Sequence, residues 1–170
     1  MTGKFNLTNE KIKANIEHLQ AYLVQKNLDG IYISSYDEFI NEYVPMSDCH
    51  RYFYTRFSGS TAESFVPRSG KVKLFVDGRY HEQADIECDT DLVDIIKVPH
   101  GEGIRSSLKD YLKNSGLKNI ACEGDRVSVD FYRYLNQEHN LSVIIDQPFN
   151  EIYALDQVKQ LNPIKQLSTD

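Results

Sequence analysis

The chain has 170 residues, 41% of them hydrophobic and 26% charged, enough for a single domain that buries a real core. Its 19 basic and 25 acidic residues leave a net charge of −6, the opposite of the basic face that a nucleic-acid partner selects. No apolar run approaches the roughly 18 residues of a membrane span, and the opening Met1-Thr2-Gly3-Lys4-Phe5-Asn6 lacks the apolar stretch of a signal peptide.

Asn6-Leu7-Thr8-Asn9 offers an N-cap, after which Ile12, Ile16, Leu19 and Leu23 recur at helical spacing. The spacing predicts an amphipathic helix ending near Asn27, with Asp29-Gly30 as its stop, and then a short buried strand over residues 31–35. Residues 36–51 have no clean period and are dense in polar and aromatic side chains, as a working loop is. Residues 52–57 are strand-like, Ser58-Gly59-Ser60-Thr61 is a turn, and residues 63–67 form a further strand. Lys71-Val72-Lys73-Leu74-Phe75-Val76 alternates and closes on an apolar run, so residues 52–77 read as an antiparallel meander. Asp77-Gly78 breaks that strand and a helix starts at once, which puts Arg79 in its first turn.

The second half alternates more regularly. Strands are predicted over 92–98, 119–122 and 142–145, with helices over 130–138 and after Pro99-His100-Gly101-Glu102-Gly103. In that second helix Ile104, Leu108, Tyr111 and Leu112 share one side. Strands alternating with helices make an α/β fold, a mixed sheet with flanking helices. Residues 1–155 read as one domain and 156–170, with Pro163 and no packing stripe, as a linker or a cut end.

Residue type and spacing bear on several chemistries. Cys49, Cys88 and Cys122 are odd in number and widely spaced, which suits reduced thiols in a cytoplasm. His81 and Cys88 share a helix face and Cys49-His50 are adjacent, yet no CxxC or HExxH spacing accompanies them, so no metal site is expected in this chain. Phe57-Ser58-Gly59-Ser60-Thr61 lacks the flanking glycines of a nucleophile elbow. Gly101-Glu102-Gly103 is a lone G-x-G better read as the start of a helix. Asp37, Glu38, Asp48 and Asp77 do not converge in any recognisable spacing, and the negative charge makes a polyanionic substrate unattractive. Arg79 is different, because a strand–turn–helix unit places side chains at the carboxyl edge of a sheet, where ligands usually bind. Two readings of Arg79 stay open: an ion pair with Asp77 or Glu82, or a side chain held out to bind a carboxylate or carbonyl of a ligand.

Five segments occur in order: Ser34-Ser35-Tyr36-Asp37-Glu38-Phe39, Asn41-Glu42-Tyr43-Val44-Pro45, Asp48-Cys49-His50-Arg51, Phe57-Ser58-Gly59-Ser60 and Asp77-Gly78-Arg79-Tyr80. Their order and spacing resemble the N-terminal, creatinase/prolidase-like domain of the Xaa-Pro aminopeptidase (aminopeptidase P) family, with the long three-domain form the better match. Phe149-Asn150-Glu151-Ile152-Tyr153 resembles the close of that domain. Three places depart from the family pattern: His50-Arg51 for Arg-Arg, Thr55-Arg56-Phe57 for Thr/Ser-Gly-Phe, and Gly59-Ser60-Thr61-Ala62 for Gly-Ser-Ala-Gly.

The resemblance implies a creatinase N-terminal domain with an RNase H-like sheet. It also implies a cytoplasmic, metal-dependent exopeptidase that removes the residue preceding a proline in the second position. In that family the dinuclear metal (manganese or similar) is held by two Asp, a His and two Glu in a C-terminal catalytic domain that this chain is expected to lack. The chain alone is therefore expected to be inactive, with no cofactor of its own. Its implied partners are the catalytic domain of the same protein, short proline-containing peptides and a second copy in a homodimer, with no nucleic acid and no membrane. Arg79 occupies the position whose arginine contacts bound peptide in family members. The competing expectations are a free-standing ligand-binding or regulatory module without peptidase activity, and a nuclease-like enzyme on a similar sheet.

Overall fold

A computed structural model of the chain describes residues 6–137, 142–146 and 148. Its elements, in chain order, are α1 (Asn9–Gln25), β1 (Gly30–Ile33), α2 (Tyr52–Thr55), β2 (Glu63–Pro67), β3 (Val72–Val76), α3 (His81–Glu87), β4 (Val93–Lys97), α4 (Ile104–Asn114), β5 (Asn119–Glu123), α5 (Val129–Leu135) and β6 (Ser142–Asp146). The strands form one six-stranded sheet in the order β4-β3-β2-β1-β5-β6. β2 runs antiparallel to both β1 and β3, while β1–β5, β3–β4 and β5–β6 are parallel pairs. The expected mixed α/β sheet with flanking helices is what forms.

Period-two alternation divides the core between the two faces. Ile31 and Ile33 of β1, with Leu74 and Val76 of β3, meet Ile12, Ile16, Leu19 and Leu23 of α1, Phe53 of α2 and Ala84 of α3. Tyr32, Phe65, Phe75, Ile120 and Cys122 point the other way, onto Leu108 and Leu112 of α4 and Phe131 and Leu135 of α5. β1 is buried along its whole length, which is why it reads as an unbroken apolar run.

Three sequence expectations change. Thr8 does cap α1, its Oγ1 accepting from Lys11 N–H, but the residue that ends the helix is Asn27, which takes the left-handed φ of 55°. Gly30 instead lies inside β1, where an added Cβ would stand 2.2 Å from Cζ of Phe65, so glycine is needed there for close packing. Residues 52–57 are not a strand. Tyr52–Thr55 make a short helix that buries all four side chains, and Arg56 caps it at φ 61°. A dense aromatic run satisfies strand propensity and helix burial equally, and the tertiary contacts decide. The antiparallel meander therefore exists, but its first strand is β1. Finally, α3 begins at His81, so Arg79 lies in the turn before the helix rather than in its first turn. The expected closing segment beyond residue 148 and the linker at 156–170 lie outside the described residues.

Candidate functional site

Parallel pairing of β3 with β4 brings the ends of both strands to one edge of the sheet. There the turn after β3 and the loop after β4 line an open cavity of about 540 Å³ formed by Asp77, Gly78, Arg79, Pro99, His100, Gly101 and Glu102. Glu102 N–H donates to Pro99 O at 3.1 Å and Gly101 adopts φ 90° between them, the left-handed conformation that a tight turn at this place requires. Gly101-Glu102-Gly103 is thus a turn followed by the uncapped start of α4.

Arg79 stands at this cavity with 67% of its side chain exposed. Asp77 organises it in two ways. Its Oδ1 accepts the Arg79 backbone N–H at 3.0 Å, and its carboxylate takes Nε at 3.1 Å and Nη2 at 2.7 Å. Of the two ion-pair partners offered by the sequence, Asp77 is the one engaged. Arg79, in turn, holds the Asp77 carboxyl below the usual aspartate range. A guanidinium donates from both edges, and Nη1 of Arg79 has no acceptor among the described residues. The pairing fixes one edge of the group and leaves the other presented.

The turn behind Arg79 is firmly backed. The guanidinium lies 5.4 Å from the centre of the Tyr80 ring. Phe57 meets Tyr80 edge-on at 5.6 Å, and the Tyr80 hydroxyl shares a 2.8 Å hydrogen bond with Ser60 Oγ. Ser58 and Ser60 are therefore turn anchors. Ser58 donates through N–H and Oγ to Glu87, each at 2.7 Å, and receives Gln83 Nε2 at 3.0 Å.

The long loop after β1 leaves the same edge. Asp37 folds it by accepting from Phe39 N–H, Asn41 N–H and Asn41 Nδ2 at 2.8–2.9 Å, contacts that depress its carboxyl. Phe39 and Tyr43 are left 74% and 81% exposed. Arg126 buries its side chain beneath the loop and donates to Tyr36 O, Asp48 O and Asp48 Oδ1. His50 Nδ1 lies 2.6 Å from buried Glu123. Asp37, Asp48 and Asp77 are thus engaged by different partners, with no shared site between them.

Two buried polar features lie outside what the sequence led one to expect. Arg51 is 1% exposed, donates from Nη2 to Gly59 O at 2.5 Å, and lies 4.8 Å from the centre of the Phe57 ring. Glu63 accepts from the Tyr32 hydroxyl and from Arg105 Nε, and burial pushes its carboxyl up against those two contacts. A charged residue opening an otherwise uncharged, buried strand is the one available clue to the second. Among the described residues no group of three or more His, Cys, Asp or Glu lies close enough to hold a metal ion. His81 Nε2 lies 3.2 Å from Val76 O, and burial pushes the Cys88 thiol up to about 12.

A family model described as the creatinase/prolidase N-terminal domain matches residues 15–151. An X-prolyl aminopeptidase from Caenorhabditis elegans, described as a cytosolic enzyme with a di-nuclear active site, has a similar structure at TM-score 0.68 and 21% identity, over 89% of this chain and 26% of that one. An Xaa-Pro aminopeptidase structure from Streptococcus pyogenes matches at TM-score 0.65 and 18% identity, over 85% of this chain and 98% of that one. An Xaa-Pro dipeptidase from Bacillus anthracis matches at TM-score 0.63 and 18% identity, over 82% of this chain and 35% of that one. At these identities the likeness is one of fold. The chain thus spans only 26% and 35% of the Caenorhabditis and Bacillus chains. No curated protein matches the sequence.

Proposed function

The chain belongs to the creatinase/prolidase N-terminal domain family, and from that premise we propose that it is the non-catalytic domain of a metal-dependent Xaa-Pro aminopeptidase, shaping access of peptides with proline second. The observation that carries this reading is Arg79, held by Asp77 at the mouth of an open cavity with its Nη1 edge free among the described residues. A guanidinium presented in that way suits the carboxylate or carbonyls of a short peptide. Proline in the second position removes an amide N–H and restricts φ, so recognition has to rely on such groups. Residues 1–155 form this domain and 156–170 lead toward the catalytic domain. The hydrolytic metal is assigned in this reading to that second domain; in support, the Caenorhabditis relative is described as having a di-nuclear active site while covering far more than this domain. Pairing into a homodimer and a cytoplasmic location complete the proposal. In support of the latter, the Caenorhabditis relative is described as cytosolic.

Three observations test it. The 170-residue chain with manganese should leave an Xaa-Pro peptide intact, and cleavage would overturn the accessory role. In the enzyme carrying both domains, Arg79→Ala should weaken peptide turnover while fold and metal content stay the same. Unchanged kinetics would reduce Arg79 to an ion-pair partner of Asp77. A coding sequence that continues past Asp170 into Asp, Asp, His, Glu and Glu ligands supports the peptidase. A stop there favours a free-standing module.

A further inference from the structure

A second cleft, of about 560 Å³, lies between the start of α1, the loop before α2, the end of α2 and the end of α3. Asn6, Met46, Ser47, Tyr52, Arg56, Ser58 and Glu87 line it, and it shares none of these with the cavity at Arg79. Its volume falls in the range of about 300–1,000 Å³ typical of small-molecule sites.

What distinguishes it is its pair of charges. Arg56 and Glu87 are both half-buried and face one cleft, yet among the described residues neither makes an ion pair, with the other or with any other group. The Arg56 side chain makes one hydrogen bond, from Nη1 to Asn9 Oδ1 at 3.2 Å, and Asn9 Nδ2 donates in turn to Asp89. Glu87 accepts from Ser58 N–H, Ser58 Oγ and Gln83 Nε2, neutral donors that orient the carboxylate and leave its charge uncompensated. Half-buried charges of opposite sign ordinarily close on each other, because desolvation costs each of them and pairing offsets that cost. Here the fold holds them apart.

The backbone adds a second observation. Arg56 caps α2 in the left-handed conformation at φ 61°, a place where glycine is the usual solution because it carries no Cβ. An arginine there is explained by its side chain, which reaches into the cleft.

We propose that this cleft binds a small zwitterion, a free amino acid or a dipeptide, whose carboxylate pairs with Arg56 and whose ammonium group pairs with Glu87. The two groups of the ligand fill the gap that keeps the protein's own charges apart, and the Tyr52 and Met46 side chains supply apolar wall for what lies between them. The site stands independently of the peptide contact assigned to Arg79.

The test is a titration of the isotope-labelled 170-residue chain, following the amide resonances of Arg56 and Ser58. The probes are glycine and glycylglycine, with N-acetylglycine carrying only the carboxylate and glycinamide only the ammonium. At least one zwitterion should bind saturably and at least about tenfold more tightly than either single-charge probe, as one charge-assisted hydrogen bond implies. Whether glycine or glycylglycine binds better separates amino acid from dipeptide. Arg56→Gly, which suits the backbone, should abolish the preference over glycinamide, and Glu87→Gln the preference over N-acetylglycine. Arg79→Ala should change neither. Absence of saturable binding, equal affinity for all probes, a preference that survives Arg56→Gly, or its loss in Arg79→Ala would each overturn the proposal.

Discussion

Gly59→Ala offers a sharp test of how the Arg79 turn is supported. Gly59 lies under two rings, and an added Cβ would stand 2.3 Å from Cζ of Phe57 and 2.9 Å from Cδ1 of Tyr80. Its backbone φ is unremarkable for an L residue, so the penalty is steric. To restore ordinary carbon–carbon contact the Phe57 ring must retreat by about 1 Å. It is fully buried, with the Arg51 guanidinium stacked 4.8 Å from its centre, so retreat disturbs a second layer. Overpacking of this kind costs about 1–3 kcal/mol. Splitting the Phe57–Tyr80 pair adds about 0.5–1.5 kcal/mol. A loss of about 2–4 kcal/mol, at the sensitivity of a domain of this size, lowers the melting midpoint by on the order of 10 °C. Thermal unfolding followed by far-UV circular dichroism measures it. Gly78→Ala, whose Cβ would meet nothing within 4 Å, is the control and should melt as wild type does. A Gly59→Ala midpoint equal to that of the control would refute the packing argument and, with it, the claim that Phe57 and Tyr80 hold Arg79 in place.

Three further outcomes are expected. Arg79 depresses the Asp77 carboxyl, so Arg79→Ala should move its titration, read by carboxyl-carbon NMR, up toward the usual aspartate value; an unmoved titration would mean the pair does not form in solution. Burial raises the Glu63 carboxyl, so the folded state keeps that proton after the unfolded chain has lost it, and the stability Glu63 contributes falls as pH climbs past about 4.3 through its raised value. Glu63→Gln should therefore gain on wild type with rising pH in urea denaturation, and a pH-independent difference would contradict the assignment. The Cys88 and Cys122 thiols are pushed up to about 12 by burial, so a disulfide reagent at mildly alkaline pH should leave both unmodified until the protein is unfolded.

Most of the scaffold follows from local pattern. The recurrence of Ile12, Ile16, Leu19 and Leu23 marks the buried face of α1, and each of the four is 5% exposed or less. The bounds of β2 and the regular strand–helix alternation after Leu92 are equally local, because hydrophobic periodicity reports which side of an element faces the core. Arg79 could be singled out for the same reason, since strand, turn and helix are consecutive in the chain. Its relation to Asp77, two residues away, was one of two short-range alternatives.

Other features depend on contacts between distant parts of the chain. Residues 52–57 carry aromatic side chains without a usable period, and only packing against α1 and the turn at Gly59 makes Tyr52–Thr55 a helix rather than part of a strand. The Tyr32–Glu63–Arg105 cluster joins residues 31 and 42 positions apart. The zwitterion cleft faces Arg56 with Glu87 across a gap that no spacing encodes. A sequence determines the period of its apolar residues and the chemistry of its turns, and here that was enough for the strand–helix alternation and for the turn after β3 that carries Arg79. Which charges are buried, which are paired and which are held apart was decided by the tertiary structure, because electrostatic energy depends on distance in space and on exclusion of water.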